Sequence, residues 1–361
     1  MITAVQPMNG IWIALFAVLC GYGGLSTGAG AQGGRRLQDR IDESMRREGD
    51  ALARMADEAL AGRAGSADFV LEWRNDFLKA RPGTFVPFTV SFTAPTLSSQ
   101  RALLYIRVET RAFGRAKPSR PFAYETIFPV QLEAAPGETV SVTRGFAVPT
   151  GRYRVVVALR ESPEDRLGEA ETSRKAGVLV RDLDVPDFWT DDLATSTVML
   201  ASRVQPLSAP VPADELDEDP YAVGSNRILV TRERSFGRDQ ELIVAFLIYN
   251  LSVGPDKHYD AQVDYHLYRK DPGGQATPGP ALDHPPARAG ERYVTRTNPQ
   301  RFNPSMMGAQ FDPAAGTPVL AGQGILLAGF DPGDYRLGIT VTDLLSRQTV
   351  TRDVVFTVTG S

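Results

Sequence analysis

Apolar and polar positions alternate along most of this chain, and the clearest alternation occurs twice. In segment 151–161 (GRYRVVVALRE), Tyr153, Val155, Val157 and Leu159 fall in one phase. In segment 333–343 (GDYRLGITVTD), Tyr335, Leu337, Ile339 and Val341 do the same. A period of two puts every second side chain on one face of a strand, so each segment predicts a β-strand with one buried face. Gly151 and Gly333 open the two copies, each after a Pro-containing corner where a tight turn needs an unusual φ. Tyr153 and Tyr335 stand two residues further on, in phase with the buried positions. Immunoglobulin-like sandwiches use a tyrosine there, its hydroxyl bonded back to backbone across the corner. The repeat therefore predicts a mostly β protein with two tandem immunoglobulin- or fibronectin-III-like sandwiches, in which these four residues are structural.

Other strands follow the same pattern. Val86, Phe88, Val90 and Phe92 alternate in one strand, where Pro87 predicts an edge or a bulge. Leu104, Ile106 and Val108 alternate in another. The run 241–251 (ELIVAFLIYNL) is apolar in both phases, which predicts a central strand buried on both faces. Between the two sets lies PLSAPVPADELDEDPYAV, rich in proline and acids and without apolar period, which predicts an extended spacer. The expected organisation is a first sandwich over 67–205, a linker over 206–223 and a second sandwich over 224–361. An irregular stretch from 271 to about 317 interrupts the second, and loops of that length are usually functional or disordered.

The N-terminal region differs. The apolar run Ile11 to Cys20 is too short to span a bilayer, which takes about 20 residues. With Ala29-Gly30-Ala31 as a cleavage site it reads as a signal peptide over 1–31, and an uncleaved membrane anchor is the alternative. Residues 32–66 carry a helical apolar stripe (Leu37, Ile41, Met45, then Leu52, Met55, Ala59), interrupted at Glu48-Gly49. Too few unbroken heptads are present for a coiled coil, so this segment reads as a charged helical tether.

Composition narrows the chemistry. The chain has 361 residues with 33 Gly and 26 Pro, a turn-rich content suited to β-domains. Its net charge of −4 offers no attraction to nucleic acid or anionic lipid. The one cysteine, Cys20, lies inside the signal, so a processed chain has no disulfide or thiolate. These features together predict an exported protein of the periplasm, cell surface or exterior, touching membrane only if the signal is retained.

The pairing of ELIVAFLIYNL with the terminal GDYRLGITVTDLLSRQTVTRDVVFTV resembles the C-terminal β-sandwich of uncharacterised exported proteins of soil bacteria, including those with a GWxTD motif. The motif itself is absent, since FWTDD at 188–192 has no Gly before Trp189. The resemblance implies a fold and no activity.

Known catalytic signatures are missing: no HExxH, GxSxG, Walker A or SxxK occurs. His258, His266 and His284 match no zinc spacing, and His266 falls on the outward face of its strand. No cofactor or metal is expected. The sharpest chemistry-bearing stretch is DVPDFWTDD, where Phe188, Trp189 and Asp191 could bind a sugar or could plug a sandwich end. The sequence thus predicts a non-catalytic interaction or scaffold module with an envelope or extracellular protein as partner. A carbohydrate-binding adhesin and an unrecognised hydrolase are the alternatives.

Overall fold

The computed structural model describes residues 47–63, 67–81, 83–93, 101–111, 122–132, 135, 137–162, 174–271, 285–308 and 311–360. The chain divides into two compact units, Met1–Asp50 and Ala51–Ser361. Of the first, only residues 47–50 are described, in helical conformation, so the expected signal peptide lies outside the described residues. No described helix is long and apolar enough to cross a membrane.

The described residues of the second unit form four sheets. In the first, β3 (Gly83–Thr93) carries β1 (Leu71–Asn75) and β2 (Leu78–Ala80) along one edge and β6 (Thr139–Val148) along the other. The second runs β5 (Tyr124–Gln131), β4 (Arg101–Thr110), β7 (Gly151–Glu161), β8 (Ala176–Val185). Val86, Phe88, Val90 and Phe92 of the first sheet share one core with Leu104, Ile106, Val108, Val155 and Leu159 of the second. This is sheet-on-sheet packing, with each strand contributing alternate residues.

Pro87 is not at an edge, because β3 is the centre of its sheet. Its missing N–H costs no ladder bond. It sits opposite the break between β1, whose pairing ends at Asn75 and Phe88, and β2, whose pairing begins at Leu78 and Phe85. Its carbonyl still accepts from the Asp76 amide at 2.9 Å.

In the third sheet the order is β11 (Ala222–Val223), β12 (Asn226–Val230), β10 (Met199–Pro206), β14 (Glu241–Tyr249), β18 (Val319–Leu326), and the short β9 (Ala194–Thr195) also pairs with β14. The fourth sheet runs β13 (Ser235–Gly237), β20 (Thr349–Thr359), β19 (Gly333–Asp343), β15 (Ala261–Lys270), β16 (Glu291–Arg296), and β17 (Gln300–Phe302) pairs with β15. Leu242, Val244, Phe246 and Ile248 of the third sheet pack with Val263, Leu267, Leu337, Ile339 and Val341 of the fourth.

Two expected boundaries move. Residues 194–206, expected in the first sandwich, pair with β14 (Met199 with Ala245, Ala201 with Ile243) and, from Arg203 on, with β12, and so belong to the second. Segment 206–223 is not an extended spacer, and 224–361 does not stand alone. Asp217 O accepts from the Gly145 amide of β6 at 2.9 Å, and the buried Tyr221 donates to Asp76 Oδ2 at 2.7 Å. The acids and prolines make turns that pin this segment across both sandwiches.

The outer phase of β14 explains the docking. Ala245, Leu247 and Tyr249 face away from their own core and join Leu78, Phe188, Met199, Tyr221 and Ile228 in a third apolar cluster. That cluster spans both sandwiches, which is why the run 241–251 is apolar in both phases.

The tether reading fails for residues 51–60. They form the body of helix α1 (47–60), with Leu52 and Ala56 buried. Asp57 Oδ1 pairs with the buried Arg107 of β4 at 2.6 Å. The outward residues Leu103, Tyr105, Val156 and Ala158 of β4 and β7 are also buried, so this sheet is covered on both faces.

Candidate functional site

The repeated phrase builds the same corner twice. Tyr153 Oη donates to Pro149 O at 2.7 Å, and Tyr335 Oη donates to Asp331 O at 2.7 Å, each four residues upstream. Gly151 and Gly333 adopt φ of 153° and 150°, which side-chain-bearing residues rarely do. Both tyrosines are buried in their cores. The arginine that follows differs between the copies. Arg154 makes a surface pair with Asp182 at 3.2 Å. Arg336 is buried under Glu291 and Asp353 and stacks on Tyr268, its guanidinium carbon 4.0 Å from the ring centroid. His266, expected to meet solvent, is buried on the same face beside Tyr293. Glu291 and Tyr293 of the adjacent strand β16 contact this cluster.

The segment Pro186–Leu193 crosses from one sandwich to the other and separates the residues singled out there. Phe188 is buried against Tyr249, ring centroids 5.2 Å apart, and plugs the inter-sandwich cluster. Trp189 points the other way and is 44 % exposed. Its position is fixed at several points. The Asp187 carboxylate accepts from the Trp189 amide at 2.8 Å. The indole Nε1 donates to both Ala80 O and Gly83 O at 2.9 Å, at the turn between β2 and β3. Gly83 is required there, because its φ is 117° and a Cβ would lie 2.5 Å from Val148 O.

Two cations flank the indole. Lys79 Nζ lies 4.4 Å from the ring centroid and the Arg81 guanidinium carbon 5.1 Å. Lys79 also donates to Asn250 Oδ1 at 2.5 Å. Asn250 holds a left-handed φ of 60° and donates to Phe188 O and Asp192 O, tying the end of β14 to the crossing segment. Burial, then the Arg81 charge, pull the Lys79 ammonium below its ordinary range, and Asp187 partly opposes them. Trp189, Lys79, Arg81, Asp191 and Asn250 line a cleft of about 300 Å³, closed on its far side by loop 313–318. The structure thus brings Trp189 and Asp191 to one cleft and removes Phe188 from it.

Lys79, Arg81 and Asn250 were not legible as site residues. Asn250 lies 171 positions from Lys79, and no local spacing could join them. Among the described residues, no group of three or more His, Cys, Asp or Glu could hold a metal ion.

No protein-family model matches this chain, and no curated protein matches it. Among solved structures it is similar to Salmonella alpha-2-macroglobulin reacted with methylamine, at 13% identity and TM-score 0.22, over 81% of this chain and 17% of that one. It is also similar to trypsin-activated Escherichia coli alpha-2-macroglobulin, at 11% identity and TM-score 0.20, over 82% of this chain and 16% of that one. Elastase-activated Escherichia coli alpha-2-macroglobulin gives 11% identity and TM-score 0.22, over 82% and 24%. The chain spans less than a quarter of the length of any of these three. Similarities at these scores carry no argument about activity.

Proposed function

We propose that this protein is an exported, non-catalytic module of the cell envelope that binds another protein through the Trp189 cleft. One observation carries the reading. An exposed indole is held rigid by two backbone acceptors and flanked by a lysine and an arginine. Tryptophan and arginine dominate binding energy at protein interfaces, and a preorganised anchor loses little entropy on binding. The cations favour a partner that presents carboxylates. Affinity capture from the envelope fraction, with wild type beside Trp189→Ala and Arg81→Glu, tests this. A protein retained by wild type and lost with both variants supports the reading. Equal retention by all three contradicts it.

A carbohydrate ligand is the second reading, favoured by the exposed indole beside the Asp191 carboxylate. A glycan array separates the two, since a hit abolished by Trp189→Ala would replace the protein partner with a sugar.

A further inference from the structure

A second cleft, of about 330 Å³, lies where residues 195–198 face β20, closed on one side by Phe77 and Phe188. Its lining combines two cations, a buried hydroxyl and apolar side chains. Arg352 stands on the core-facing row of β20 with Val350, Val354, Phe356 and Val358, where every other side chain is apolar. Its guanidinium donates to Thr351 O at 3.0 Å, and among the described residues it meets no carboxylate. Asp353, which also lines the cleft, is taken up by Arg288 and Arg336. Burial pulls Arg352 below its ordinary range. Thr195, on the same wall, is 1 % exposed, and its hydroxyl has no hydrogen-bond partner among the described residues. A partly buried cation without an anion and a buried hydroxyl without a partner each cost free energy, which a suitable ligand would recover. Arg234, which donates to Val355 O at 3.2 Å, adds positive charge at the cleft.

We infer that this cleft binds a small organic carboxylate with an apolar body. Guanidinium forks match carboxylate oxygens with two parallel hydrogen bonds, and the Thr195 hydroxyl supplies a further donor. Phe77, Phe188 and Val354 offer the apolar wall. A cleft near the lower end of the usual range of about 300–1,000 Å³ suits a ligand of roughly ten non-hydrogen atoms. The inference is independent of the Trp189 cleft, which lies on the other side of the crossing segment and uses different residues.

Calorimetric titration of the full chain with octanoate, and with octanamide as the neutral isostere, tests it. Octanoate should bind saturably and octanamide at least about tenfold more weakly. Arg352→Gln and Thr195→Val should each weaken octanoate by about tenfold or more, while Arg81→Gln leaves it unchanged. Thr195→Val preserves side-chain size, and circular dichroism checks that both variants keep the β fold. If Arg352→Gln alone disturbs folding, the Thr195→Val titration decides. Three results would overturn the inference: no saturation up to about 10 mM octanoate, equal binding of octanamide, or wild-type affinity in the folded variants.

Discussion

Tyr335 donates its hydroxyl to the backbone oxygen of Asp331 across a four-residue corner, and its ring stacks on Phe356, with centroids 5.5 Å apart. One side chain therefore serves both the turn and the core. Tyr335→Phe keeps the ring and leaves a carbonyl unmatched, at a cost of about 1–3 kcal/mol. Tyr335→Ala also opens a cavity and should cost about 3–5 kcal/mol. Tyr153→Phe should match Tyr335→Phe, because the Pro149 acceptor is placed the same way. Urea denaturation measures all three. A Tyr335→Ala protein of wild-type stability that had lost binding would make Tyr335 a site residue.

The shared apolar cluster around Tyr249 predicts coupled unfolding of the two sandwiches. Denaturation followed by fluorescence and by circular dichroism should give coincident transitions. A fragment starting at Gly224 lacks β9 and β10, leaves one edge of β14 bare, and should not reach the native fold. A dispersed proton NMR spectrum from that fragment would contradict the pairing.

The Arg336 cluster predicts acid sensitivity. The Arg336 hydrogen bonds and charge hold Glu291 below its ordinary carboxylate range despite burial. Burial pushes Asp353 up, but bonds from Arg288 and Arg336 outweigh it and hold it low. For carboxylates depressed in the folded state, the stabilisation is present above the unfolded value and is lost as pH falls through the folded value. Stability should therefore decline as pH drops below about 4.5. In Glu291→Gln the decline should be shallower, and stability at pH 7 should be lower by about 3–5 kcal/mol because Arg336 loses a buried partner. Melts at stepped pH check both.

Helix α1 predicts a covered surface. Deleting residues up to 60 removes the buried Leu52 and Ala56 and strips the buried Arg107 of Asp57. The truncated protein should bind the dye ANS and aggregate. If it stayed monomeric without dye binding, the helix would not be covering that sheet.

The sequence by itself determined the strand phases, the turn glycines and the paired tyrosine corners. Each depends on residues within about a dozen positions, where alternation and local φ preference act directly. It also showed that β14 is apolar on both faces, but not what covers the second face. Tertiary structure decided that Phe77, Leu78 and Phe188 cover it, and that Met199–Ala201 pair with β14 and not with the first sandwich. It likewise decided that Arg336 is buried and bonded to Glu291 of β16, while Arg154, in the same phrase, pairs at the surface with Asp182. The Trp189 cleft is of the same kind. Trp189 was visible as an aromatic among acids, yet the neighbours that fix and charge it come from Lys79–Gly83 and Asn250. Contacts over such separations are set by how sheets dock, and no local spacing in the chain encodes them.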